Sequence, residues 1–123
     1  MSTSTNALPA IPRTQGLVST AFHVPPLDGS LTLPQLLDFH GQHSANHPFF
    51  VYAEEDGTTK SITWGRSVQA ILRSALLVRE RLGCSSNVGA DKAPVVAILS
   101  ASDAIPYATT VMGIMRAGYV PFP

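Results

Sequence analysis

Charge is scarce in this chain: Asp, Glu, Lys and Arg make up 13% of 123 residues, against roughly 25% in an ordinary soluble globular protein. Beside a hydrophobic share of 45%, that scarcity suggests that much of the chain belongs inside something larger. Neither sign of charge is in excess, with eight basic residues against eight acidic. A nucleic-acid or membrane-surface partner therefore has nothing electrostatic to recommend it. Cysteine occurs once, as Cys84, so no disulfide partner exists within the chain, and a reducing, cytoplasmic setting is the simple expectation. Long apolar runs are missing as well. The most apolar stretch, PVVAIL at 94–99, is far shorter than the roughly 20 residues a membrane span needs. The opening MSTSTNALPAIP has no basic region ahead of an apolar one, unlike a secretory signal.

The usual nucleotide and nucleophile motifs are absent too. Gly113 and Gly118 have the spacing of GxxxxGK[ST], but Tyr119 and Val120 stand where a lysine and a hydroxyl residue must be. Without them nothing reaches a phosphate or a magnesium ion, and the glycines read as a helix-packing and a helix-ending residue. Neither GxGxxG nor GxSxG occurs.

What is present is a regular succession of elements. Residues 1–30, Ser-, Thr- and Pro-rich and including HVPPLDGS, read as a flexible leader. Thr32-Leu33-Pro34-Gln35 fits a capping box, and Leu33, Leu36, Leu37 and His40 share the face of a helix running to about residue 44. Asn46-His47-Pro48 ends it. PFFVYAEEDGTTKSIT then reads as a hairpin, with strands at 49–53 and 60–63 and a turn at Asp56-Gly57.

Thr63 is positioned to cap a second helix from Trp64, whose apolar face is Trp64, Val68, Ile71, Leu72, Ala75, Leu76 and Leu82. Gly83 stands at its end, and the loop CSSNVGADK follows. The apolar run 95–99 fits a strand covered on both faces. Asp103 is positioned to cap a third, mostly buried helix to about residue 117, and 119–122 begins another strand. Strand, helix, strand is a parallel βαβ unit. One such unit cannot cover its own sheet, so the chain reads as an opening segment of an α/β domain.

Few residues could carry chemistry. His40, His43 and His47 have spacings of three and four, which could let imidazoles share a zinc ion. His47 lies beyond the helix end, however, and a partly buried His40 with exposed neighbours is the reading preferred. Cys84 follows a helix C-terminus, where the dipole disfavours a thiolate. Glu54, Glu55 and Asp56 read as a solvated hairpin tip rather than a catalytic pair, and Asp103 as a cap. No catalytic, cofactor-binding or metal residue is assigned.

Three segments together resemble a known family. LTLPQLLDFHGQHSANHPFFVYAEEDG supplies a leading helix, an HP break and a strand ending in acidic-Gly. SITWGRSVQAILRSALLVRERLG is similar to an (I/L)T(Y/W)xEL segment with its long helix, and APVVAILSASDAIPYATTVMGIMRAGYVPFP to a VAILxxN…AGxvxvP segment. In this order they resemble the N-terminal part of adenylate-forming (AMP-binding) enzymes, a superfamily of acyl-CoA synthetases, peptide-synthetase adenylation domains and carboxylate reductases. The ending MRAGYVPFP looks nearest to fungal reductase-like members. One departure is Arg66, where the family often has an acidic residue completing a capping box.

The resemblance implies that residues 31–123 are the first part of an adenylation domain. In a complete member, ATP and magnesium would serve to activate a carboxylic acid as an acyl-adenylate, later passed to a coenzyme A or carrier thiol. It also implies that the phosphate-contacting loop lies beyond Pro123. This chain is then expected to bind no cofactor, to be an inactive scaffold, and to have the remainder of the domain as its partner. A small standalone interaction module without catalysis is the alternative.

Overall fold

The computed structural model describes residues 18–83 and 93–123. The CSSNVGADK loop with Cys84, and the leader before residue 18, lie outside the described residues. The elements run α1 (Leu33–His43), β1 (Pro48–Ala53), β2 (Thr59–Thr63), α2 (Trp64–Leu82), β3 (Val95–Ala97), α3 (Ala104–Arg116) and β4 (Val120–Phe122). The fold is α/β, as expected from the succession of periods. β1 and β2 pair antiparallel as a hairpin, and β3 and β4 pair parallel with α3 as the crossover between them.

Local chemistry explains most of the boundaries. The Thr32 hydroxyl accepts the Gln35 N–H, and the Gln35 side chain takes the Thr32 N–H at 2.8 Å, so the capping box at α1 is formed. At the hairpin tip Asp56 Oδ1 accepts the Thr58 N–H at 2.9 Å, while Gly57 adopts φ +81°, a conformation natural to glycine. α3 ends in a Schellman motif: Gly118 N–H donates to Met115 O, and Tyr119 N–H reaches back to Ile114 O. Gly118 makes this possible with φ +90°.

Two expected caps do not form. Thr63 and Asp103 occupy N-cap positions with extended backbone, yet neither side chain accepts a helix amide. For Thr63 part of the reason is visible. The first amides of α2 are already satisfied by the loop after α1, Trp64 N–H by His47 O at 3.0 Å and Gly65 N–H by Ala45 O at 2.9 Å. A Cβ on Gly65 would sit 3.2 Å from that same Ala45 carbonyl, so the glycine lets the loop approach. Nothing in the structure explains why Asp103 leaves its position unused.

α2 is the hub, with α1 and α3 packed on it and the hairpin against its start. Among the described residues the buried apolar side chains are Leu37, Ile71, Ala75 and Ile114. Burying an isoleucine such as Ile71 contributes about 2 kcal/mol. Helix–helix approach is close at two points. A Cβ on Gly41 would stand 3.1 Å from the Val68 methyls, and one on Gly113 only 2.6 Å from Ser74 Cβ. A bidentate ion pair then links α3 to α1, with Arg116 Nε and Nη2 on Asp38 Oδ1 and Oδ2 at 3.2 and 3.0 Å. The Tyr119 hydroxyl donates to Gly83 O at 3.1 Å, tying the start of β4 to the end of α2.

Among the described residues the covering expected around the parallel strands is not found. β3 is three residues long rather than five, Val95 is 65% and Phe122 64% exposed, and Leu99 is fully exposed. α3 is half-buried along most of its length, with only Gly113 and Ile114 fully buried. Leu72, Leu76 and Leu82 of the predicted α2 face are exposed as well. One βαβ unit has no further layer to lay over these side chains.

The Gly113 contact gives a test with a definite sign. In an open helix Gly→Ala stabilises by about 1 kcal/mol, whereas overpacking costs about 1–3 kcal/mol. Because the new methyl would meet Ser74 Cβ and the Ala75 backbone nitrogen as well as the movable Ser74 hydroxyl, Gly113→Ala should lower stability in equilibrium denaturation. A more stable variant would contradict the packing described.

Candidate functional site

The buried polar side chains among the described residues are His40, Ser44 and Ser67. Two of them sit together at the end of α1. His40 is 4% exposed and Ser44 0%, because the α1 stripe carries His40 inward one turn after Leu37, and Ser44 follows at i+4. His40 Nδ1 lies 3.2 Å from Ser44 Oγ. Ser44 Oγ in turn accepts the backbone N–H of His23 at 3.0 Å.

Around this pair four rings stack in series. Phe22 faces His40 at 5.3 Å, His40 faces Trp64 at 4.4 Å, and Trp64 faces Phe49 at 3.8 Å, each near-parallel. One ring comes from the segment before α1, one from α1, one from the first residue of α2 and one from β1. The backbone bonds from Trp64 and Gly65 to the α1–β1 loop hold Trp64 in that position. A register irregularity between Pro48 and Phe50 puts Phe49 and Phe50 out of strict alternation, and their rings meet at 4.3 Å.

His43 and His47 belong to the rim. His43 is exposed, stacks on Phe39 at 4.4 Å and donates Nδ1–H to Phe39 O at 3.0 Å. His47 is half-buried, touches Phe22 at 5.0 Å and has Nδ1 3.1 Å from Ser19 Oγ. The three imidazoles thus have separate partners, and among the described residues no group of three His, Cys, Asp or Glu side chains could hold a metal ion. A shallow pocket of about 300 Å³ opens beside them, lined by Thr20, His23, Gln42, His43 and Asn46 among others.

The remaining candidates are engaged elsewhere. Glu54 pairs with Lys60 at 2.9 Å across the hairpin, and Asp56 holds Thr58, whose hydroxyl and N–H keep that carboxyl below its usual range. Asp103 is exposed at the start of α3. Gly113 packs on Ser74 and Gly118 ends α3, so the two glycines with phosphate-loop spacing form no loop. Cys84 lies outside the described residues. The contribution of Phe22, Ser19 and Ser44 was not read from the sequence. The available signal was the aromatic pair Phe22-His23 inside an otherwise Ser-, Thr- and Pro-rich stretch.

Electrostatically, burial holds His40 below its ordinary value of 6.5, with His47 and then His43 acting in the same direction. The sign of the consequence is fixed. Below about pH 6.5 the unfolded chain takes up a proton that folded His40 resists, so the unfolded state binds more protons. Stability should therefore fall as the pH drops through 6.5, levelling off once folded His40 is itself charged. Denaturation curves from about pH 8 to about pH 5 should show part of this slope missing in His40→Gln. An unchanged slope would contradict the assignment to His40.

No family model matches the chain, and no solved structure matches it. Curated relatives do. The chain is 46% identical over 119 residues to adenylate-forming reductase Nps10 of Heterobasidion annosum, which covers 94% of this chain and 11% of that protein. It is 36% identical over 108 residues to adenylate-forming reductase Nps11 of Serpula lacrymans var. lacrymans (strain S7.9), covering 85% and 9%. Adenylate-forming reductase Nps9 of the same strain is 29% identical over 98 residues, covering 80% and 8%. The chain thus spans 8–11% of the length of these relatives, and over that length it is similar to proteins named adenylate-forming reductases.

Proposed function

We propose that this chain is a scaffold segment of an enzyme that activates a carboxylic acid as an acyl-adenylate, and that it carries out no catalysis by itself. The observation carrying the first part is the 46% identity over 119 residues to a protein named an adenylate-forming reductase. The acyl group would pass to a coenzyme A or carrier thiol, the ligase-type chemistry of acyl-CoA synthetase-like members. Reduction is the further step that the relatives' names support. ATP and magnesium would serve the whole protein. Gly113 is closed against Ser74 and Gly118 is spent ending α3, so this glycine pair cradles no phosphate, which supports placing the nucleotide site elsewhere in the whole protein.

The scaffold role rests on what the segment leaves open. The exposed Val95, Leu99, Val120 and Phe122 of the βαβ unit are the surface on which the remainder of an adenylation domain would add strands and a covering layer. No described helix is long and apolar enough to cross a membrane. With one cysteine in the chain, a reducing, cytoplasmic location completes the proposal.

Carboxylate-dependent ATP–pyrophosphate exchange tests both parts. The 123-residue chain should be silent across a panel of acids, and a longer family polypeptide containing it should be active. Exchange by the short chain would overturn the scaffold reading. Silence of the longer polypeptide, with ATP binding intact, would overturn the acid-activating one.

A further inference from the structure

The segment ahead of α1 is fastened to the folded body almost wholly through histidines and one serine. Ser19 meets His47 Nδ1 at 3.1 Å, Phe22 stacks on both His40 and His47, and the His23 N–H is held by Ser44 Oγ, which also faces His40 Nδ1. Phe22 and Ser44 both bear on His40, whose imidazole can take up a proton in acid. From these contacts we infer that residues 19–23 form an acid-released clasp, closed over His40 at neutral pH and opened when His40 is protonated.

Ser44 Oγ sits between the clasp and His40. A neutral His40 with a bare Nδ1 takes the single Ser44 hydroxyl hydrogen, and the oxygen accepts the His23 N–H. Once protonated, Nδ1–H can only donate, so the hydroxyl hydrogen must turn away toward His23 O at 3.5 Å. A buried charge is then left at Nδ1 with only a neutral oxygen, shared with the His23 N–H, as its acceptor.

The balance of charge favours opening. His43 from α1 and His47 from the following loop both disfavour a charge on His40, and burial disfavours it further. The carboxylate of α1, Asp38, is taken by Arg116 of α3. β1 contributes no ionisable group apart from Tyr52, α2 brings Arg66, exposed in its first turn, and the clasp itself brings His23. The faces of Phe22 and Trp64 and the C-terminal end of α1 favour a cation at one imidazole. They leave His40 without a counter-ion, and opening the clasp hydrates it.

Amide hydrogen exchange on the whole chain tests this, with rates corrected for their intrinsic dependence on pH. Between about pH 7.5 and about pH 5.5 the His23 amide should lose protection by about tenfold or more, while the amides of Ile71 and Ala75 in α2 lose much less, only what the fall in global stability takes. Phe22→Ala should give the low-protection state already at neutral pH, with α2 unaffected. Ser44→Ala should remove the pH dependence at His23. Equal protection of His23 at both pH values would overturn the clasp. So would loss of His23 and α2 protection in step, which would report global unfolding instead.

Discussion

The structure depends on how closely α3 lies on α2. Gly113 faces Ser74 and Ala75 with no room for a Cβ, and Ile71 and Ile114 are buried to 1% and 2% exposure. A glycine in mid-helix costs backbone entropy, and here the cost is offset by bringing two helix backbones together over the largest apolar side chains of the core. The Schellman ending of α3 follows directly, turning the chain so that Tyr119 can reach Gly83 and β4 can lie beside β3. The βαβ unit is thus oriented by a contact between helices rather than by its short sheet.

A second joint, at the other end of α2, is made of rings. Trp64 begins the helix and is the point where α1, the hairpin and the segment before α1 converge. The loop carbonyls of Ala45 and His47 replace the side-chain cap that Thr63 might have supplied. Such a substitution is general: a helix start needs acceptors for its free amides, and tertiary neighbours can provide them as well as a local hydroxyl can.

How much of this was legible in the sequence depends on distance along the chain. The capping box at Thr32, the turn at Asp56-Gly57, the apolar period from Trp64 and the helix ends at Gly83 and Gly118 are local, and their elements appear where the pattern puts them. Gly113 was readable as a packing glycine, though not that Ser74 would be its neighbour. The ring stack could not be read, because Phe22, His40, Trp64 and Phe49 come from four separate elements. Periodicity reports that a face is apolar and says nothing of what covers it. That is why the runs at Val95 and along α3 read as covered, while the structure leaves Val95, Leu99 and Phe122 exposed.

Those uncovered side chains bring the fold and the family relationship together. A chain spanning 8–11% of the length of its relatives holds a small core of its own and, among the described residues, presents apolar strand side chains that are exposed. The most direct test is binding of a hydrophobic dye to the 123-residue chain, alone and joined to the sequence that follows the matching segment in a family member. Strong binding by the chain alone, abolished in the longer polypeptide, is the expected result. A chain that folds cooperatively and binds no dye by itself would contradict the account.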